Sequence, residues 1–412
     1  MALSEWYANR EILLTGVTSE VGRALLEKIL RCFSNVKVYA LIRTRNGLNK
    51  DERIKKKNNI LSFRYERLRQ EDPDAINRVK TVEGNLLYDE VGLCKTDKAL
   101  LKNISVVFHA GGPHESLFEF SQDLPRLEVL AAISSIFRHR GQINEILQNE
   151  RVPDGPFALV RIPFVGPAFR EPMPGYVEDI RGPTAMMIGA GIALGKPELD
   201  AQVIPIDLTV NTLITAAWER GSQKNVKGPT VYNAATIGCT WNDLIEKGRR
   251  GRRTFSYPTF GVHGMTSNAT LHWILVLLLE WLPSFLCDMI LTIFGAKQRI
   301  LQEHWRVRNA LRSLESISSR PWSAEKNRVY QLQERLSPEE QDAFPLVAEI
   351  DIESYVLCAA AAARKYCSDK TNTFLVKTFR RTFILFVVAT ICYILFRSYH
   401  VSDKPHLDSL KI

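Results

Sequence analysis

EILLTGVTSEVGRALLEKILRCFSNVKVYALI, residues 11–42, decides the fold. Its opening five residues, Glu11 to Thr15, form a short apolar run of the kind that makes a buried parallel strand. Val21, Ala24, Leu25 and Ile29 then fall on one helical face, and Val36 to Ile42 is a second apolar run. Strand, glycine-bearing turn, helix and strand together predict a βαβ unit.

Working outward, further strands are expected near Val79 to Val82, at Ser105 to His109, at Leu127 to Ile133 and at Ala158 to Ile162. The charged stretch 50–78 is expected to be helical. Strands alternating with helical segments predict an α/β fold, a doubly wound parallel sheet of the Rossmann type over residues 1–260. A helical unit is expected over 297–372, where Ser337 should cap a helix that Pro338 begins.

The turn of the βαβ unit is expected to hold a dinucleotide. Thr15, Gly16, Ser19, Glu20, Val21 and Gly22 lie between strand and helix, where Gly16 allows a tight turn, Gly22 allows close helix–strand packing, and the helix N-terminus attracts phosphate. Ser19 stands where a middle glycine is usual, and its side chain is expected to narrow the approach to the phosphates. Arg43 and Arg45 follow the second strand in place of the acidic residue that binds a ribose 2′-hydroxyl, so NADPH is favoured over NADH. Asn85, after the third strand, is placed at the adenine edge.

Composition narrows the class further. The 412 residues are 45% hydrophobic and 24% charged, which excludes wholesale disorder. The net charge of +9 is spread along the chain without a nucleic-acid motif, and clusters such as Lys55 to Lys57 and Arg249 to Arg253 read as solvated faces. Seven cysteines without CxxC pairing argue for a reducing, cytosol-facing setting and against a metal site. Residues 271–296 are strongly apolar yet interrupted by Glu280, Pro283 and Asp288, which suits a membrane-dipping segment or a buried helix pair better than a straight span. Thr382 to Phe396 is fifteen residues without a charge between arginines, so 380–398 is expected to be a transmembrane anchor.

The segment VRIPFVGPAFREPMPGYVEDIRGPTAMMIGAG from Val160, followed by IPIDLTVNTLITAAW ending at Trp218, resembles the fatty acyl-CoA reductases, an extended short-chain dehydrogenase family with a C-terminal male-sterility domain. Phe108-His109-Ala110, Val231 to Ala234, LSPEEQDAF from Leu336 and the stretch Tyr355 to Tyr366 extend the resemblance along most of the chain. It implies reduction of long-chain acyl-CoA to a primary alcohol with NADPH, on an intracellular membrane such as the endoplasmic reticulum, a lipid droplet or a peroxisome. His109, Ala110 and Arg161 would line the cofactor, the lipid bilayer would be a partner, and self-association or pairing with paralogues is open.

The family protonates its alkoxide with a tyrosine hydroxyl whose pKa is lowered by a lysine four residues on, while a nearby serine orients the carbonyl. The chain has no tyrosine between His109 and Leu159. Setting Ile136 to Leu147 against the family's catalytic helix puts Phe137 at the tyrosine position and Gly141 at the lysine position. Ser134 and Ser135 match the serine position, or cap the helix after them. The one Tyr-x-x-x-Lys, Tyr366 with Lys370, lacks a strand–loop–helix context. Three readings stay open: a reductase, a catalytically impaired binding module of the same family, or a sequence that has lost a coding segment.

Overall fold

The apolar runs become seven strands of one parallel sheet: β1 (Glu11–Thr15), β2 (Lys37–Ile42), β3 (Val79–Glu83), β4 (Ile104–His109), β5 (Val129–Ser135), β6 (Phe157–Ile162) and β7 (Thr230–Asn233). Their spatial order is β7-β6-β5-β4-β1-β2-β3, reversing direction between β1 and β4. Alternate residues feed opposite faces. Ile12, Leu14, Val38, Ala40 and Phe108 enter one core, whereas Leu13, Tyr39, Leu41, Val107 and Leu130 enter the other. Both faces are therefore dry, as an all-parallel sheet requires. The computed structural model describes the chain except residues 45–51, 53–64, 255–262, 296–299, 368–381, 383–392 and 394–412 and positions 113, 140, 149, 181, 189, 190 and 294.

Helix α1 (Glu20–Cys32) follows β1, and α2 (Ile206–Ser222) packs on the same side of the sheet, against β5 and β6. The helices Asn327–Arg335 and Pro338–Ala343 return to this side, where Val329, Leu332 and Phe344 join the core of α1 and α2. Ser337 caps the second of them with Pro338 at its first position. The apolar segment 271–296 lies mostly within one helix, α3 (Ala269–Ile293), and α4 (Ile300–Ser318) comes after it. A further core gathers Gly182–Met187, Ile352–Tyr366 and α4 around Met186, Leu311 and Tyr355. Within the charged stretch 50–78, Glu66–Glu71 is α-helical and Ala75–Arg78 forms a 3-10 turn, while residues 53–64 lie outside the described residues. So does the expected anchor 380–398, apart from isolated positions.

The loop after β6 is tied to both helices on its side. Asp207 of α2 accepts the backbone N–H groups of Phe169, Arg170 and Glu171 at 2.9, 2.7 and 3.1 Å. Glu171 in turn faces Lys28, Arg31 at 3.0 Å and Arg67 at 2.7 Å. Burial alone would raise the Glu171 carboxyl, but the positive charges of Lys28 and Arg31 outweigh it and hold the pKa at about 2. A carboxylate depressed in the folded state adds stability above its unfolded pKa of ~4.3, and that stability is lost as pH falls toward the folded value. The contribution at neutral pH is on the order of 3 kcal/mol. Glu171→Gln should lower the urea midpoint at about pH 7, with the gap to wild type narrowing at about pH 3. A gap independent of pH would refute the ion-pair account.

Ile136 to Leu147 does not form the helix expected from the sequence. Ile136–Arg138 is a single 3-10 turn, and Gln142–Ile143 is a short strand paired with Ser323–Ala324. Gly141 between them has φ of 75°, a left-handed conformation that no helix interior accepts. The Phe137 ring is held by Phe164 at 4.9 Å and Trp322 at 5.1 Å. The expected match of Phe137 and Gly141 to one catalytic helix therefore fails on the backbone.

Candidate functional site

The order reversal between β1 and β4 opens a crevice at the strands' C-terminal ends, where open α/β sheets bind ligands. A cavity of about 350 Å³ occupies it, lined by Thr15, Gly16, Thr18, Arg43, Asn85 and His114 among others. Its remaining wall is Val17, Leu41, Ile42, Gly84, Leu86 and Leu87. Of the residues singled out in the sequence, Thr15, Gly16, Arg43 and Asn85 meet here, and Arg45 lies outside the described residues.

The loop is built by close approach. Gly16 has φ of 72°, and a β-carbon there would lie 2.8 Å from the Ala110 carbonyl oxygen. A β-carbon on Gly22 would collide with the Gly16 carbonyl, so β1, the turn and α1 sit too close for any side chain at either position. Ala110 contributes this backbone wall behind the loop. Gly16→Ala, strained by at least about 1 kcal/mol from φ alone and pressed into Ala110, should weaken nucleotide binding by roughly tenfold or more. Calorimetric titration with NADPH checks this, and unchanged affinity would deny the loop its role.

The Ser19 hydroxyl does not turn toward the cavity. It accepts the Gly22 N–H at 3.0 Å as the cap of α1 and reaches the Ala110 carbonyl at 3.3 Å. The expectation that it narrows the phosphate approach is thereby corrected, because capping the orphan amide draws the side chain back along the helix. Glu20 and Val21 form the helix's first turn, and Glu20 Oε1 accepts the Glu178 N–H at 3.4 Å.

His109 ends β4 and is buried at 4% exposure. Its Nε2 lies 2.7 Å from the Gly112 carbonyl oxygen and its Nδ1 meets the Thr15 hydroxyl. Burial drives its pKa down to about 4 despite the bond to Gly112, so the ring is neutral at pH 7. A carbonyl only accepts, which assigns the proton to Nε2 and leaves Nδ1 to accept from Thr15. Both ring nitrogens are thus committed to the protein, and the residue braces β1 against β4.

At the ends of β5 and β6, where the reacting half of a dinucleotide would lie, the chain closes over itself. Ser134 and Arg161 are paired across these strands and are 2% and 0% exposed. The Arg161 guanidinium donates to Glu150 at 2.6 and 2.8 Å and to the carbonyls of Asn144 and Ile146, each at 2.7 Å. Burial would raise Glu150, yet the Arg161 hydrogen bonds and charge hold it at about 2. His139 Nε2 lies 2.9 Å from the same carboxylate. Arg161 therefore folds the 144–150 loop down over its own strand, which corrects its expected place on the cofactor: its donors are spent inside the protein.

The Ser134 hydroxyl is buried and finds no hydrogen-bond partner among the described residues. Ser135 accepts the Phe137 N–H at 3.2 Å as a cap. Sequence reasoning missed the clasp, since Glu150 and His139 come from a segment without periodicity. It also missed Leu86 and Leu87, although the turn after β3 gave a signal in Gly84-Asn85.

Two family models, each described as male sterility protein, match residues 14–129 and 279–370. Fatty acyl-CoA reductase 1 of Xenopus laevis is 27% identical over 427 residues, covering 84% of this chain and 82% of that protein. Fatty acyl-CoA reductase 1 of Mus musculus is 26% identical over 451 residues, covering 89% and 86%. Both alignments are longer than the 412-residue chain, so the relatives carry residues that it lacks. Among solved structures, the reductase domain of a non-ribosomal peptide synthetase from Mycobacterium tuberculosis superposes with a TM-score of 0.55 at 13% identity, covering 86% of this chain and 92% of that one. The terminal R domain of the myxalamid PKS-NRPS pathway gives 0.53 at 14%, covering 86% and 90%. These two show a shared fold.

Proposed function

The chain belongs to the fatty acyl-CoA reductase family, and from that premise we propose that it binds NADPH and long-chain acyl-CoA as a catalytically impaired member, working at an intracellular membrane with its nucleotide domain in the cytosol. A nicotinamide cofactor comes with the family; the choice of NADPH and the loss of turnover are read from this chain's own residues. The observation carrying the proposal is the contrast between the two ends of the crevice. One end keeps an open cavity with the phosphate loop and Arg43, and the other is closed by the Arg161–Glu150 clasp.

The residues present suit the adenosine and phosphate half of such a cofactor. Gly16 and Gly22 let β1, the turn and α1 approach more closely than a β-carbon would allow, which brings the positive end of the α1 dipole to the loop. Arg43 on the rim would hold a 2′-phosphate, with Asn85 nearby. When bound, NADPH supplies a hydride. This chain's own residues would bind and orient the nucleotide, but no tyrosine or lysine lies between His109 and Leu159 to protonate an alkoxide.

Arg43→Ala should weaken NADPH by about 1.5–3 kcal/mol, a tenfold loss or more, and leave NADH within about twofold. Titrating both nucleotides into the full chain tests this. Equal losses would refute the 2′-phosphate assignment, and no binding of either would refute the proposal at its root.

A further inference from the structure

Helix α3 is 25 residues long and apolar enough to cross a membrane. It is also turned inside out relative to a soluble helix. Polar side chains in its middle face the protein: Glu280 and Ser284 are 0% exposed, and His272 lies 3.2 Å from the Ile192 carbonyl. Asp288 accepts the N–H groups of Ile300 and Leu301 at 3.0 Å each. The outward side carries Trp273, Ile274, Leu278, Leu282, Phe285 and Met289, all exposed. Val276, Glu280 and Cys287, by contrast, are buried at 7%, 0% and 2% exposure.

We propose that α3 lies flat in the surface of a lipid bilayer, its outward stripe immersed among the acyl chains and its inward stripe holding the protein. This rests on the reading that the chain works at a membrane, and adds which face meets the lipid and at what angle. Spanning is opposed by the inward contacts. Glu280 accepts the Ile192 N–H at 2.7 Å and faces Arg308 at 3.4 Å, so a helix crossing the bilayer would drag the strand Gly191–Leu194 and α4 into hydrocarbon.

Two further features suit lipid. Trp273 and Trp305, 64% and 58% exposed, bring amphipathic rings of the kind found at the headgroup level. Arg306 and Arg312 are exposed on α4, which packs against α3, and add positive charge for anionic headgroups. The sequence continues to a second apolar stretch, Thr382 to Phe396, which would hold the chain at the same surface.

The test uses the full chain carrying Ile274→Cys, Leu278→Cys, Phe285→Cys or Met289→Cys, each labelled with bimane, with the labelling of the parent chain subtracted. Vesicles of phosphatidylcholine and phosphatidylserine with brominated tails report depth by quenching. Flat insertion predicts flotation with the vesicles and one shared shallow depth, about 5–10 Å into the headgroup and acyl boundary, at all four sites. These sites are separated by about 22 Å along the axis, so a spanning helix would give widely different depths and overturn the proposal. Flotation without quenching would overturn it too, while leaving the membrane reading intact. Failure to float would remove both.

Discussion

Given a long-chain acyl-CoA and NADPH, the full chain is expected to form fatty alcohol at least about 100-fold more slowly than a family member with the tyrosine–lysine pair, the lower range for a general acid–base group. Hydride addition to an aldehyde leaves an alkoxide, whose proton must come from an acid within hydrogen-bond reach. His109 is neutral and bonded on both ring nitrogens, and His139 is buried against Glu150. The serine that would orient the carbonyl, Ser134, is buried at 2% exposure. Gas-chromatographic assay of the alcohol reads the outcome. Turnover at the rate of an active member would return this chain to the working reductases.

The second large effect concerns the clasp. Arg161→Ala should destabilise the fold by about 3–5 kcal/mol, because it strips Glu150 of its cation in a buried site and leaves the Asn144 and Ile146 carbonyls without their donor. For a domain of this size that is a fall in melting temperature of roughly 10 °C. Removing both charges in the pair Arg161→Met with Glu150→Met should recover part of the loss, since a buried ion pair replaced whole costs far less than one broken. If Arg161 instead held the cofactor, its loss would abolish NADPH binding in protein that still melts normally. The clasp predicts the reverse: lower melting, with NADPH affinity in the folded fraction kept within about twofold.

The part of this architecture that repeats was legible in the sequence. β1, the glycine turn and α1 could be read because buried parallel strands are continuous apolar runs and Gly16 and Gly22 sit where backbones touch. Ser337-Pro338 announced its helix because capping is local chemistry. The closed end was illegible for the opposite reason. Residues 136–150 have no period, their conformation depends on Arg161 from a later strand, and setting them against a known helix imposed a conformation that Gly141 refuses. The inward turn of Glu280 was equally hidden. In the sequence it only interrupts an apolar run, and its partner Ile192 lies 88 residues away.

Deuteride transfer is the most direct measurement of the central claim, that nucleotide is held without being used. The full chain, at stoichiometric concentration with NADPH deuterated at the transferable position and a long-chain acyl-CoA, is followed by mass spectrometry of the lipid. The account predicts bound nucleotide recovered intact and no deuterium in aldehyde or alcohol within the time a family member with the tyrosine–lysine pair needs for one turnover. Deuterium-bearing aldehyde or alcohol within that time would contradict it.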